Sequence, residues 1–182
     1  KYLINIFLIS FISFTIQYSL TFSGLNMIDA SSAVLLVQSE VPFGVIIAFL
    51  LLKDKPSIKN LIGLSISIVG LIILSGSPNL EGKFIGVVLV LSGACVWSLG
   101  QVLFKPISEK VNGVVITAWI GIFAGPQLIF ASQLIEGDVL KTIYEANFQG
   151  WLIVLYLAIL MNILGYSLWY YILGIFPVSK IM

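Results

Sequence analysis

Long apolar stretches separated by short polar connections dominate the chain. A helix needs about 20 mostly apolar residues to cross the roughly 30 Å hydrocarbon core of a bilayer, and Lys, Pro, Asn and Asp mark the connections where such stretches end. Six stretches fit this pattern, at residues 2–24, 30–52, 60–77, 85–104, 114–135 and 150–173. The pattern therefore predicts an all-α membrane protein, a polytopic helical bundle with about six transmembrane helices.

Composition supports a location in the lipid bilayer and excludes several classes of function. Hydrophobic residues make up 59% of the chain and charged residues 9%, whereas about a quarter of the residues in soluble domains are charged. The chain has one cysteine and no histidine, so disulfide frameworks, Cys/His metal sites and histidine acid–base catalysis lack their residues. The net charge is only +1, and the scattered lysines argue against a nucleic-acid partner. We expect no metal and no cofactor.

Lysine placement predicts the orientation, because loops that stay in the cytoplasm carry an excess of Lys and Arg. With the N-terminal end inside, the inside connections hold seven of the nine basic residues, namely Lys1, Lys53, Lys55, Lys59, Lys105, Lys110 and Lys180. Lys83 and Lys141 fall outside. We therefore expect a multi-pass protein of the cell membrane, inner or plasma, whose loops 53–59, 105–112 and 174–182 are cytoplasmic.

The ends of the first and sixth predicted spans are similar in sequence. At an offset of 148 positions, from 18 to 166, the identities are Tyr18-Ser19-Leu20 with Tyr166-Ser167-Leu168, Leu25 with Leu173 and Ser31 with Ser179. Coincidence between two apolar helices is the alternative explanation. The two spans are five helices apart, so they cross the membrane in opposite directions. An inverted repeat of this kind is typical of secondary transporters, which hold their substrate near the midplane.

Several segments resemble helices of the EamA-type transporters of the drug/metabolite transporter superfamily. The stretch 29–36 with Ser39-Glu40-Val41-Pro42-Phe43 resembles the fourth helix, although Lys53-Asp54-Lys55 replaces the usual Gly-Glu-Arg type ending. Segments 63–72, 93–98 and 168–179 resemble the fifth helix, the sixth helix and the end of the eighth. The resemblance implies a ten-helix protein built as a five-plus-five inverted repeat. Residues 1–78 would be part of the first EamA-like repeat, helices three to five. Residues 79–182 would be part of the second, helices six to eight and the start of the ninth.

Glu40 is an acidic residue about ten positions into its predicted span, or about 15 Å deep at 1.5 Å per residue. An ionisable group at this depth costs on the order of 3 kcal/mol or more, so it should face a cavity or a partner. Glu40 is therefore a candidate substrate or coupling residue, with protons as the candidate coupling ion. The alternative is a protonated carboxyl hydrogen-bonded between helices. Pro42 would favour this alternative, because it frees the backbone carbonyl of Gln38, one turn back, to act as a hydrogen-bond partner.

Polar and aromatic side chains on other predicted helical faces complete the candidate site. Besides Glu40, the candidates for substrate binding or coupling are Gln38, Gln17, Tyr18, Trp97, Gln101, Asn162, Tyr166 and Trp169. Rings beside amides suit a small amphipathic or aromatic metabolite. Gln17 shares one helical face with Ser10, Ser13, Thr21 and Gly24, and the alternative role of this polar stripe is interhelical hydrogen bonding. For the rings near the cytoplasmic end, Tyr170 and Tyr171 included, the alternative is an aromatic belt or packing. Small-residue pairs at Gly44, Gly63 and Gly121 predict close helix packing.

These features favour a secondary transporter that moves small-molecule metabolites, such as amino acids, by alternating access. No residue is a candidate for catalysis. An intramembrane aspartyl enzyme would need two carboxylates in one site, and only Glu40 lies mid-span. A non-catalytic membrane subunit is the other alternative. The sequence gives no indication of an oligomeric state.

Overall fold

The structure is a computed structural model that describes residues 2–75, 83–135, 137 and 139–182. Helices supply all the regular structure of these residues. The α-helices are α1 (Leu3–Ser10), α2 (Gln17–Leu25), α3 (Ala30–Val37), α4 (Glu40–Leu52), α5 (Ile58–Ser75), α6 (Phe84–Ser108), α7 (Gly113–Ile135), α8 (Val139–Glu145), α9 (Phe148–Tyr156), α10 (Ser167–Ile175) and α11 (Val178–Ile181). Two π-helical segments, π1 (Phe11–Ile16) and π2 (Leu157–Tyr166), interrupt the first and last spans.

Five helical stretches are long and apolar enough to cross a membrane, and they confirm the prediction of a polytopic α-helical membrane protein. They are Leu3–Leu25, Ala30–Leu52, Phe84–Ser108, Gly113–Ile135 and Phe148–Ile175. The third predicted span corresponds to α5, whose apolar stretch Ile58–Ile73 is shorter than the other five. Its predicted end at residues 76 and 77, the predicted repeat boundary at 78/79, and Lys1 lie outside the described residues.

The chain divides into two compact units. The first unit comprises Lys1–Phe11 and Phe104–Ile175, and the second comprises Ile12–Leu103 and Phe176–Met182. This division follows contacts in space and does not bear on the sequence repeat, which stays a prediction.

In the first unit, α7 packs against α1 and α10. The rings of Phe7 and Phe123 meet edge to face with centroids 5.4 Å apart. Phe104 and the fully buried Tyr170 lie 5.0 Å apart. Lys105 closes the end of α10, because its Nζ donates to the carbonyl oxygen of Leu173 at 2.8 Å. A cation is favourable there, since the last carbonyls of a helix carry a partial negative charge.

In the second unit, a stripe of glycines on α6 brings this helix close to the first span. Gly86, Gly93 and Gly100 recur every seven residues and therefore lie on one helical face. An added Cβ at Gly93 would overlap the Thr21 hydroxyl, and one at Gly100 would overlap the Ser13 side chain. Small residues at such an interface let two helix backbones approach closely. Ser13, Thr21 and Gly24 of the first span are thus buried against α6.

Most of the small-residue pairs predicted to pack closely have no close neighbour among the described residues. Gly44 packs against the side chain of Met182, as expected for close contact. Gly63, Gly121 and Gly125 face open space, since no described atom outside their own turn lies within 4 Å of an added Cβ. Their faces of α5 and α7 are turned away from the described neighbours, so the close packing predicted at these positions is not found among the described residues.

The two π-helical segments fall at matching positions of the sequence repeat. Moving π1, residues 11–16, by the offset of 148 gives residues 159–164, which lie within π2. A π-helical turn is rare and adds one residue to a helix locally. The repeat relation between the first and sixth spans stays a prediction.

Candidate functional site

The second membrane span is broken at Gln38 and Ser39. The span ends its first half, α3, at Val37 and resumes as α4 at Glu40. Pro42 has no N–H, so the Gln38 carbonyl cannot receive the usual bond from four residues on. It accepts instead from the Val41 N–H at 3.2 Å. This shorter bond tightens the chain into a 3₁₀-type turn, so the carbonyl that the sequence predicted to be freed is satisfied locally.

Glu40 begins α4 beside this break and is half-buried. Its backbone carbonyl accepts a hydrogen bond from the Ser98 hydroxyl of α6 at 2.7 Å. Ser98 is fully buried and also lies 2.9 Å from the Ala94 carbonyl oxygen. Within the part of the chain that the structure describes, no lysine forms an ion pair with the Glu40 carboxylate. The side chain is therefore an uncompensated acid beside a helix break, inside a membrane span.

A cleft of about 320 Å³ opens between the broken span and α5. Its lining residues are Leu35, Gln38, Ser39, Pro42, Ser67, Gly70 and Leu71. The lining is mostly apolar, but the Ser39 hydroxyl, on a residue only 3% exposed, has no hydrogen-bond partner among the described residues. Small-molecule pockets range from about 300 to 1,000 Å³ and combine apolar walls with a few polar groups. The cleft is at the small end of that range.

Gln17, Tyr18, Trp97 and Gln101 also lie in the second unit. Gln17 is 8% exposed, and its Nε2 donates to the Thr21 hydroxyl at 3.0 Å. Gln101 is fully buried. Trp97 meets Phe14 edge to face at 5.6 Å, and Phe14 in turn meets Tyr18 at 6.1 Å.

Phe14 is a residue of this cluster that the sequence interpretation missed. It joins two candidate side chains, Trp97 and Tyr18, into one aromatic row that continues to Phe22, whose ring centroid lies 5.7 Å from that of Tyr18. The spacing of four between positions 14, 18 and 22 places these rings on one helical face. That spacing is a signal that could have identified Phe14.

Asn162, Tyr166 and Trp169 lie in the first unit, on π2 and α10. The Asn162 side chain is exposed, and its Nδ2 donates to the Leu157 carbonyl, five residues back, at 3.2 Å. Tyr166 stacks on Tyr170 with centroids 6.2 Å apart. Tyr170 is fully buried, so its role is packing and not that of an interfacial belt, whereas Tyr171 is 60% exposed.

The candidates are thus distributed over both units. The second unit holds Glu40, Gln38, Gln17, Tyr18, Trp97 and Gln101, and the first unit holds the other three. Their roles in substrate binding stay predictions. Among the described residues, no group of three or more His, Cys, Asp or Glu side chains could hold a metal ion.

Comparison with known proteins identifies the family. The EamA-like transporter family matches residues 1–76 and 84–182. A probable amino-acid metabolite efflux pump of Salmonella typhimurium is 25% identical over 87% of this chain and 56% of its own length. Its counterpart in Escherichia coli is 24% identical over the same shares. An uncharacterized transporter of Clostridium kluyveri is 26% identical over 83% of this chain and 48% of its own length.

The chain spans about half the length of the curated relatives that it matches. No solved structure matches it. The family match covers both predicted halves and nearly every residue of the chain, so the resemblance drawn from the motifs is confirmed. The chain belongs to the EamA-like transporter family.

Proposed function

We propose that the chain is part of a secondary transporter that moves small metabolites, amino acids among them, across the cell membrane by alternating access. The observation that carries this proposal is the break of the second span at Gln38 and Ser39, directly before Glu40. Two relatives, both named as probable amino-acid metabolite efflux pumps, support the substrate class. The protein performs no catalytic step in this proposal.

The physical argument starts from the cost of polar groups in hydrocarbon. Irregular backbone at membrane depth is tolerated only where protein buries it or where it lines a water-filled cavity. An unpaired carboxylate at that depth costs on the order of 3 kcal/mol. Transporters place both features at the substrate or coupling-ion site, where interrupted helices present backbone groups to the cargo. Glu40 and the neighbouring break fit this role, with protons as the candidate coupling ion.

The repeat relation supports alternating access. The matching positions of π1 and π2, together with the five sequence identities at the same offset, favour an inverted repeat with halves 1–78 and 79–182. Two inverted halves can rock against each other to expose one site to each side in turn. In this proposal the lysine-bearing loops 53–59, 105–112 and 174–182 face the cytoplasm.

Flux measurements on the full-length protein in proteoliposomes test the proposal. We expect saturable uptake of radiolabelled amino acids that unlabelled substrate inside the vesicles accelerates. In this proposal the charged Glu40 carboxylate binds the substrate or the coupling proton. Glu40→Gln should therefore reduce the flux about 10- to 100-fold, because a hydrogen bond to a charged group contributes about 1.5–3 kcal/mol. The matched control is Glu145→Gln, which makes the same change at an exposed residue of α8.

The outcomes separate two claims. Absence of saturable flux in the unmodified protein, over a panel of amino acids, would contradict the transport proposal and favour the non-catalytic membrane subunit. Normal pH-dependent flux in Glu40→Gln would contradict a role for Glu40 as the coupling residue. Loss of flux in the Glu145→Gln control would show that replacing a glutamate lowers flux by destabilising the protein and not by altering the candidate site.

A further inference from the structure

Two helices begin at equivalent positions of the sequence repeat. Helix α3 begins at Ala30 and α11 begins at Val178, which is an offset of 148. In the first copy, Asp29 precedes the helix and caps it. Its Oδ2 accepts from the backbone N–H of Ser32 at 2.8 Å and from the hydroxyl of Ser31 at 2.8 Å. The carboxylate and the helix that it caps are neighbours in sequence.

The second copy cannot be capped in the same way. The residue equivalent to Asp29 is Pro177, which has no side-chain acceptor. A carboxylate reaches the first turn from elsewhere, because Asp54 of the loop between α4 and α5 takes this place. The Asp54 Oδ2 accepts from the Ser179 N–H at 2.9 Å, and its Oδ1 accepts from the Ser179 hydroxyl at 2.8 Å. The cap is therefore supplied across 125 residues of chain.

The loop that carries Asp54 is itself fixed at both ends. Lys53 ends α4 with a left-handed φ of 56°, and the Asp54 N–H donates back to the Ala48 carbonyl at 3.3 Å. At the other end, the Ser57 hydroxyl accepts from the Asn60 N–H at 3.2 Å and so caps α5. Asn60 Nδ2 also donates to the Ser179 carbonyl. A second contact thus joins this loop region to the same turn.

We infer that Asp54 is a positioning residue that holds α11, Val178–Ile181, against the loop between α4 and α5, in place of a cap from the sequence neighbour of this helix. The contact joins the two predicted repeats on the predicted cytoplasmic side. Its consequence for activity rests on the proposed function. The two predicted repeats move against each other in the proposed transport cycle, so loss of a contact between them changes the turnover of transport. Asp54 is not one of the candidate binding residues, so substrate affinity stays unaltered.

Amide hydrogen exchange of the full-length protein in detergent tests the cap without relying on transport. Asp54→Ala should accelerate exchange in the first turn, Val178–Ile181, about fivefold, the effect of losing a typical N-cap. The matched control Asp29→Ala should accelerate exchange at the start of α3 and leave the turn at Val178 unaffected. Unchanged exchange at Val178–Ile181 in Asp54→Ala would overturn the inference.

A rescue variant keeps the test specific. Pro177→Asp in the Asp54→Ala background places a carboxylate at the position equivalent to Asp29, so protection of Val178–Ile181 should return. In proteoliposomes, Asp54→Ala should lower kcat with KM unchanged, by about fivefold where the full effect of the lost cap acts on the transport step. Faster exchange with an unchanged kcat would overturn the positioning role. An unmodified protein without any flux would contradict the proposed function, while the exchange data would still decide the cap.

Discussion

Replacing Gly100 with alanine is expected to weaken the packing of α6 against the first span. An added Cβ would overlap the Ser13 hydroxyl and lie 2.5 Å from the Ser13 Cβ and 3.3 Å from its Cα. Ser13 is fully buried, so its side chain has no open space into which it can turn. The Cα is part of the backbone, and the overlap can be relieved only by moving one helix away from the other.

Two opposing effects determine the size of the change. Overpacking in a close-packed interior costs about 1–3 kcal/mol, whereas alanine is about 1 kcal/mol better than glycine in a helix interior. We therefore expect Gly100→Ala to lower the free energy of unfolding by about 1 kcal/mol. Gly121→Ala is the matched control, since no described atom outside its turn lies within 4 Å of the added Cβ. It should gain about 1 kcal/mol, the helix-propensity term alone.

Unfolding by sodium dodecyl sulfate in mixed micelles, followed by tryptophan fluorescence, measures both variants. A Ser13→Gly background supplies the decisive comparison, because it removes the two side-chain atoms that the new Cβ would overlap and leaves only the Cα at 3.3 Å. In that background Gly100→Ala should become stabilising, like Gly121→Ala. If Gly100→Ala is as stable as the Gly121→Ala control in the unmodified background, the close approach of the two helices at this position is refuted.

Two further predictions concern the ends of the second span. Lys53→Gly should raise the free energy of unfolding by about 1 kcal/mol, because the left-handed φ of 56° at this position is costly for a residue with a Cβ; Lys55→Gly is the control, and an equal gain there would contradict the explanation. The pKa of Asp29 is lowered to about 2, chiefly by the hydrogen bond from the backbone N–H of Ser32, so its cap is fully present above the usual Asp pKa of about 3.9 and is lost as the pH falls through about 2. Unfolding measured from pH 5 to pH 2 should therefore show a loss of stability that Asp29→Asn lacks, and parallel curves for the two proteins would contradict this role.

The sequence predicted the spans well because a membrane span depends on local composition. Long apolar stretches bounded by polar residues must form helices in hydrocarbon, since every backbone group needs an internal partner there. The five long spans accordingly begin and end within four residues of the predicted positions. Helix α8, Val139–Glu145, was not predicted, because seven residues in a polar connection give no periodic signal.

Contacts between distant parts of the chain could not be predicted in this way. The glycine spacing of seven on α6 is visible in the sequence, but it does not say which helix these residues face. The Asp54 to Ser179 contact joins residues 125 apart, and nothing in the local pattern of either segment indicates the other. The break at Gln38 could be predicted only in part. Pro42 signals a lost hydrogen bond, but whether the helix kinks, shifts or breaks depends on the surrounding packing.

Packing against α6 explains several polar residues of the first span without a ligand. Ser13 and Thr21 belong to the polar stripe of the first span, and both meet glycines of α6 where a larger residue would not fit. Small polar side chains at a close helix contact need no ligand to explain them.

A neighbouring face of α6 carries Ser98, whose hydroxyl donates a hydrogen bond to the backbone carbonyl of Glu40. Helix α6 thus accounts for the stripe and for the position of Glu40, but it offers the Glu40 carboxylate no ionic partner within the described residues. In the proposed transporter, a charged substrate or a coupling proton would take the place of this ionic partner.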